Sequence, residues 1–134
     1  MDIRLDYRNI HFAQSLREVS AWWASYESLK PTYVPDIATR PLYSTWYQFH
    51  QDLEEKKLLQ ECSMAKKLGF EAIIIDDGWQ TEDNSRGYDH TGDWNPEHFE
   101  DFASLIKDIQ KLGMKVGVWY SVPFCGVKSK AYQR

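Results

Sequence analysis

Two stretches of this chain echo one another: AKKLGFEAIIID (residues 65–76) and IQKLGMKVGVWY (residues 109–120), their Lys-Leu-Gly glycines 44 residues apart. In each, a helical pattern ends on glycine, the residue that accepts a left-handed backbone just past a helix. An apolar run of strand length then follows, Phe70 to Asp76 in the first copy and Met114 to Tyr120 in the second. Runs apolar at successive positions read as parallel strands with both faces covered. Ahead of them, Pro41 to Trp46 (PLYSTW) is a shorter strand-prone run. Strand, helix, strand, helix, strand at this spacing is the signature of a parallel α/β sheet.

The helices between the strands can be read from their faces. The first sets Leu58, Cys62, Ala65 and Leu68 on one side, with Asp52 as its cap. The second aligns Phe99, Phe102, Ala103, Ile106 and Ile109, with Asn95-Pro96 as its start. Earlier, residues 13–27 carry Leu16, Val19, Trp22, Trp23 and Tyr26 at helical spacing, with Ser15 and Glu18 in the pattern of a capping box. A proline-rich segment, residues 30–41, follows as a linker or crossing segment. A closed eight-stranded barrel takes about 250 residues, and three parallel strands alone leave their edges bare. The expected architecture is therefore α/β: a partial TIM (β/α)8 barrel, its first three parallel strands with intervening helices, preceded by an N-terminal helix. Residues 1–35 form the helix and linker, and residues 36–134 the barrel steps. Open edges of this kind invite self-association.

Ligands of parallel α/β folds bind beyond the carboxyl ends of the strands. Here the first strand delivers Trp46 and Tyr47, the second Asp76, Asp77 and Trp79, and the third Trp119 and Tyr120. Asp-Asp-Gly after a strand is also an ordinary turn, with aspartate bonding the following backbone. Tryptophans at three neighbouring ends argue for more. Carboxylates accept strong hydrogen bonds from vicinal hydroxyls, and indoles cover the apolar face of a pyranose while offering an N–H. A sugar suits such a mouth.

Other classes fare worse. A net charge of −4 offers no broad basic surface for nucleic acid. No apolar run approaches the roughly 20 residues of a membrane span, and MDIRLDYRNIHF lacks the pattern of a signal peptide. Two distant cysteines, Cys62 and Cys125, form neither a disulfide framework nor a zinc site. A reducing cytoplasm is the default location. Asp89, His90 and Asp93 read as a solvated loop, and no metal or organic cofactor is implied.

PLYSTWYQFH, IIIDDGWQ, GDWNPEHF and LGMKVGVWYSVP together resemble the catalytic barrel of glycoside hydrolase family 36, the melibiase-type α-galactosidases, over roughly residues 36 to 126. The resemblance implies retaining action on terminal α-linked galactose, in oligosaccharides such as melibiose or raffinose. It implies that Asp76 and Asp77 hold the sugar's O4 and O6 hydroxyls. Trp46 and Trp119 would line the galactose pocket, and Trp79 and Trp94 match aromatic motif positions nearby. The family's nucleophile follows the fourth strand and its acid/base the sixth. No catalytic residue is assigned among the three strands read here, and these residues alone are expected to be inactive. IIIDDGWQ is also similar to raffinose synthases, which leaves galactosyl transfer as an alternative beside a non-catalytic galactoside-binding module.

Overall fold

The computed structural model describes residues 3, 5–81, 88–96 and 98–134. The chain falls into two units, residues 1–34 and 35–134. In the first unit, α1 spans Phe12–Ala24. Its cap is His11, whose Nδ1 accepts from the Ala13 N–H at 3.2 Å. The expected capping box does not form, because Ser15 already lies inside the helix. Its hydroxyl donates to Asp6 instead, and Glu18 pairs with Arg8. Trp22 lies against Trp23 and Tyr26, with ring centroids 4.8 and 5.4 Å apart.

The second unit carries β1 (Leu42–Ser44), α2 (Trp46–Phe49), α3 (Glu55–Lys67), β2 (Ala72–Ile75), α4 (Phe102–Lys111) and β3 (Lys115–Val118). The three strands form one parallel sheet in the order β1-β2-β3. Leu42 pairs with Ala72, which in turn pairs with Lys115. This is the architecture expected from the sequence.

The glycine signals act as the repeat implied. Gly69 (φ +94°) and Gly113 (φ +79°) both adopt the left-handed backbone past their helices. After α3, the Gly69 N–H donates to the Lys66 carbonyl and the Phe70 N–H to the Ala65 carbonyl, which together form a Schellman stop. Lys66 Nζ also donates to the Gly113 carbonyl at 2.9 Å, tying the two repeats together at their helix ends.

Element boundaries differ from the expectations in instructive ways. β1 ends at Ser44, because Thr45 turns helical (φ −69°, ψ −19°) and Trp46 opens α2. The cap of α3 is Glu54 rather than Asp52, with no side-chain bond to the helix. Leu58, Cys62 and Ala65 are buried as expected, but Leu68 has left the helix face and is 75 % exposed. The start of α4 is not Asn95-Pro96. A turn closes there through the Phe99 N–H and the Pro96 carbonyl, and Asp101 caps the helix by accepting from Ser104 N–H and Oγ. Leu105 and Ile109 form the inward face in the core, while Ala103 faces out.

The core gathers Leu53, Leu58, Cys62, Ile73, Ile75, Leu105, Ile109 and Met114 between helices and sheet. β2 is buried on both faces, as its apolar run predicts. β3 is not. Lys115, Gly117 and Val118 are exposed, since it is an outer strand with a single described neighbour. Among the described residues, no helix is long and apolar enough to cross a membrane.

Candidate sugar-binding site at the strand ends

The mouth is built by bonds between neighbouring strand ends. Thr45, fully buried, accepts the Asp76 N–H on Oγ1 at 2.9 Å. Ser44 Oγ donates to Asp76 Oδ2 at 3.0 Å, and the Asp77 N–H donates to Asp76 Oδ1 at 2.9 Å. Asp76 is thus anchored on both oxygens yet remains only partly buried.

Asp77 is held differently. It is 2 % exposed, and its two oxygens accept from two side-chain amides, Gln51 Nε2 and Gln80 Nε2. Gln80 closes a small ring, since its Oε1 also accepts the Gly78 N–H at 3.0 Å. Gly78 (φ +114°) could be no other residue here. A Cβ on it would stand 2.5 Å from Gln51 Cα, closer than real carbon atoms approach. Neither glutamine stood out in the sequence as a site residue. The final Gln80 of the DDGWQ run was in plain view, but nothing local marks Gln51, which comes from the α2 side of the fold.

A cavity of about 310 Å³ opens above these carboxylates. Ser44, Trp46 and Tyr47 line it from the β1 side, and Asp76 and Asp77 from β2. Trp119, after β3, and Tyr88 complete the wall. Four of the six candidate residues, Trp46, Asp76, Asp77 and Trp119, therefore meet at one opening. Among the described residues no cation lines it, and those that do present carboxylate acceptors beside aromatic faces. A larger cavity of about 800 Å³ shares Tyr88 and Trp119 with it and continues along Tyr120, Val122, Pro123 and Phe124.

Trp79 and Trp94 line neither cavity. Trp79 is 8 % exposed and stacks on Phe102 at 5.3 Å with the rings 7° from parallel. Its indole N–H donates to the Trp119 carbonyl at 2.9 Å, so it braces the third strand end from within. Trp94 (φ +52°) packs on Tyr120 at 4.1 Å and on Trp119 at 5.7 Å. Nor is the Asp89–Asp93 loop merely solvated. Asp89 pairs with Lys128, and Asp93 accepts the backbone N–H groups of Lys130 and Ala131. Those two amide bonds, that of Lys130 foremost, hold the Asp93 carboxyl below the ordinary aspartate range. Among the described residues, no three His, Cys, Asp or Glu side chains gather as a metal site.

The model of the Melibiase family matches residues 13–134. The chain belongs to the Melibiase family. Alpha-galactosidase 1 of Pediococcus pentosaceus is 31 % identical to this melibiase-family chain over 102 residues, 71 % of the chain and 13 % of the relative. A structure of a variant of the alpha-galactosidase AgaA from Geobacillus stearothermophilus in complex with raffinose superposes with a TM-score of 0.63 at 24 % identity, covering 70 % of this chain and 13 % of that one. The alpha-galactosidase of Thermus thermophilus, in complex with p-nitrophenyl α-D-galactopyranoside, reaches a TM-score of 0.56 at 30 % identity, over 75 % of this chain and 20 % of its own. The fold is accordingly that of the N-terminal part of such a catalytic barrel. The chain spans only 13–18 % of the length of the first curated relatives it matches.

Proposed function

We propose that these residues form the galactose-holding part of an α-galactosidase pocket, with Asp76, Asp77, Trp46 and Trp119 in contact with the sugar. The observation that carries this reading is the single opening those four residues share. Carboxylates anchored by neighbouring groups present their remaining lone pairs to hydroxyls, and the two indoles offer flat apolar faces to the ring. The ligands bound by relatives, raffinose and stachyose as well as an aryl galactoside, are of the matching class. The larger cavity beyond Trp119 gives the rest of an oligosaccharide somewhere to lie. Trp79 and Trp94 serve the pocket by supporting Trp119.

These residues alone bind without cleaving. Retaining hydrolysis needs two carboxyls about 5 to 5.5 Å apart on either side of the scissile bond. The two in this pocket are adjacent in sequence, and each is already tied into the strand ends. Open strand edges further support pairing between copies of the chain.

One preparation tests all three statements. Titrated with p-nitrophenyl α-galactoside, the 134-residue chain should bind saturably and release no nitrophenol. The Asp76→Ala, Asp77→Ala double variant should bind at least about tenfold more weakly, the loss expected for charged hydrogen bonds. Binding unchanged in the variant would refute the assignment, and turnover would refute the inactivity. Light scattering of the same sample should show mass rising with concentration, and a constant monomer would dismiss the pairing.

A further inference from the structure

The treatment of Asp77 needs an explanation that turn geometry does not supply. A carboxylate could be turned toward solvent, or paired with a lysine or arginine. Here it is 2 % exposed and held by two glutamines that are themselves buried, Gln51 at 1 % and Gln80 at 4 %. The Gln51 bond is 2.6 Å long and crosses 26 residues of sequence. The Gln80 bond comes from the same loop, and its other amide atom is fixed by the Gly78 N–H. Each donor reaches a different oxygen of the carboxylate, so rotation of the group is blocked from both ends.

Neutral amides differ from a cation in one respect that matters. An arginine would fix the carboxylate equally well but would also neutralise the charge that makes it a strong acceptor. Two amides orient the group and leave its charge in place. Each ionised oxygen has a second lone pair beyond the one an amide takes, and Asp77 lines the small cavity. Those remaining lone pairs are available there to a ligand hydroxyl.

We propose that Gln51 and Gln80 are positioning residues: an amide clamp that aims the Asp77 carboxylate at a sugar hydroxyl. The proposal rests on the galactose-binding reading above and extends it to two residues that never touch the ligand. It also explains Gly78, which allows the Gln51 backbone to come close enough for the clamp to close.

Gln51→Glu changes the amide to a carboxyl of almost the same shape. When protonated, the new carboxyl can donate to Asp77 and keep the bond, and as pH rises from about 5 to about 8 its ionisation replaces that bond with repulsion. Among the described residues, the ionisable groups lining the pocket beside Asp77 are Asp76, Tyr47 and Tyr88, and the unaltered chain controls for every group both proteins share. Galactose binding, followed by calorimetry on samples shown to be folded by circular dichroism, should be near normal in the variant at the lower pH. At the higher pH it should fall by about tenfold or more, the loss expected for a charged hydrogen bond, while the unaltered chain stays level. If the variant unfolds at the higher pH, Gln80→Ala with Gln51 intact replaces it and should weaken binding by a similar factor in the folded protein. A folded variant, Gln51→Glu at about pH 8 or Gln80→Ala, that binds galactose as tightly as the unaltered chain overturns the clamp alone. Failure of the unaltered chain to bind galactose overturns the clamp and the pocket reading together.

Discussion

In the first repeat α3 runs into β2 through Leu68-Gly69, and in the second α4 runs into β3 through Leu112-Gly113. The local rule is the same: a helix with one apolar face, a left-handed glycine, then a strand in register with its neighbour. The outcomes diverge one step later. Ile73 and Ile75 of β2 are completely buried, while Val118, which pairs with Ile75, is 37 % exposed. Among the described residues, β2 has a strand on each side and β3 has one. An apolar strand thus reports what it could tolerate, and its neighbours decide how much of it is covered.

The largest effect that would test this contrast is in the strands themselves. Ile73→Ala should destabilise the protein by about 2–5 kcal/mol, as large-to-small changes in closed cores do. Val118→Ala should change stability by no more than about 0.5 kcal/mol, the range of surface substitutions. Urea unfolding of both variants reads the difference, and equal losses would mean that β3 is as well covered as β2.

A smaller effect isolates the shared rule. Gly69→Ala and Gly113→Ala each force a side chain into the left-handed region, at a cost of about 1–2 kcal/mol. A Cβ at Gly69 meets nothing within 4 Å, and one at Gly113 meets only the flexible end of Lys66 at 3.6 Å. The two losses should therefore match in the same unfolding measurement. A discrepancy beyond about 1 kcal/mol would show that one of the two helix ends is stabilised by something other than its backbone.

The smallest effect lies past the exposed strand. Asp93 ties down the backbone at Lys130 and Ala131, and its carboxyl is held below the ordinary range by those bonds. For a lowered carboxyl, the stabilisation is complete above the ordinary aspartate value of about 3.9 and is lost as pH falls through the lower folded value. Amide exchange at Lys130 and Ala131 should stay slow down to about pH 4 and accelerate below it. Asp93→Asn should abolish that acid step. Amides already released at neutral pH, or still protected at about pH 2, would contradict the tether.

The repeat, the order of strands and helices and the meeting of Asp76 and Asp77 with Trp46 and Trp119 could all be read from the chain alone. Periodicity and glycine punctuation are local, and strand ends in a parallel sheet necessarily fall on one side. What could not be read depends on distance through space rather than along the chain. Trp79 looks like a pocket residue in DDGWQ, yet its N–H found the Trp119 carbonyl 40 residues on, and its ring found Phe102. Asp101 rather than Asn95 caps the helix, since a turn from the Pro96 carbonyl to the Phe99 N–H lies between them. Gln51 carries no local mark of its role, since its partner Asp77 comes from another strand end. Sequence alone determined which elements form and which strand ends line the cavity, because backbone preferences act over a few residues. Only the tertiary structure decided which carboxylate is clamped, which tryptophan is core and which strand is bare, because desolvation and hydrogen bonding depend on whatever else arrives at the same place.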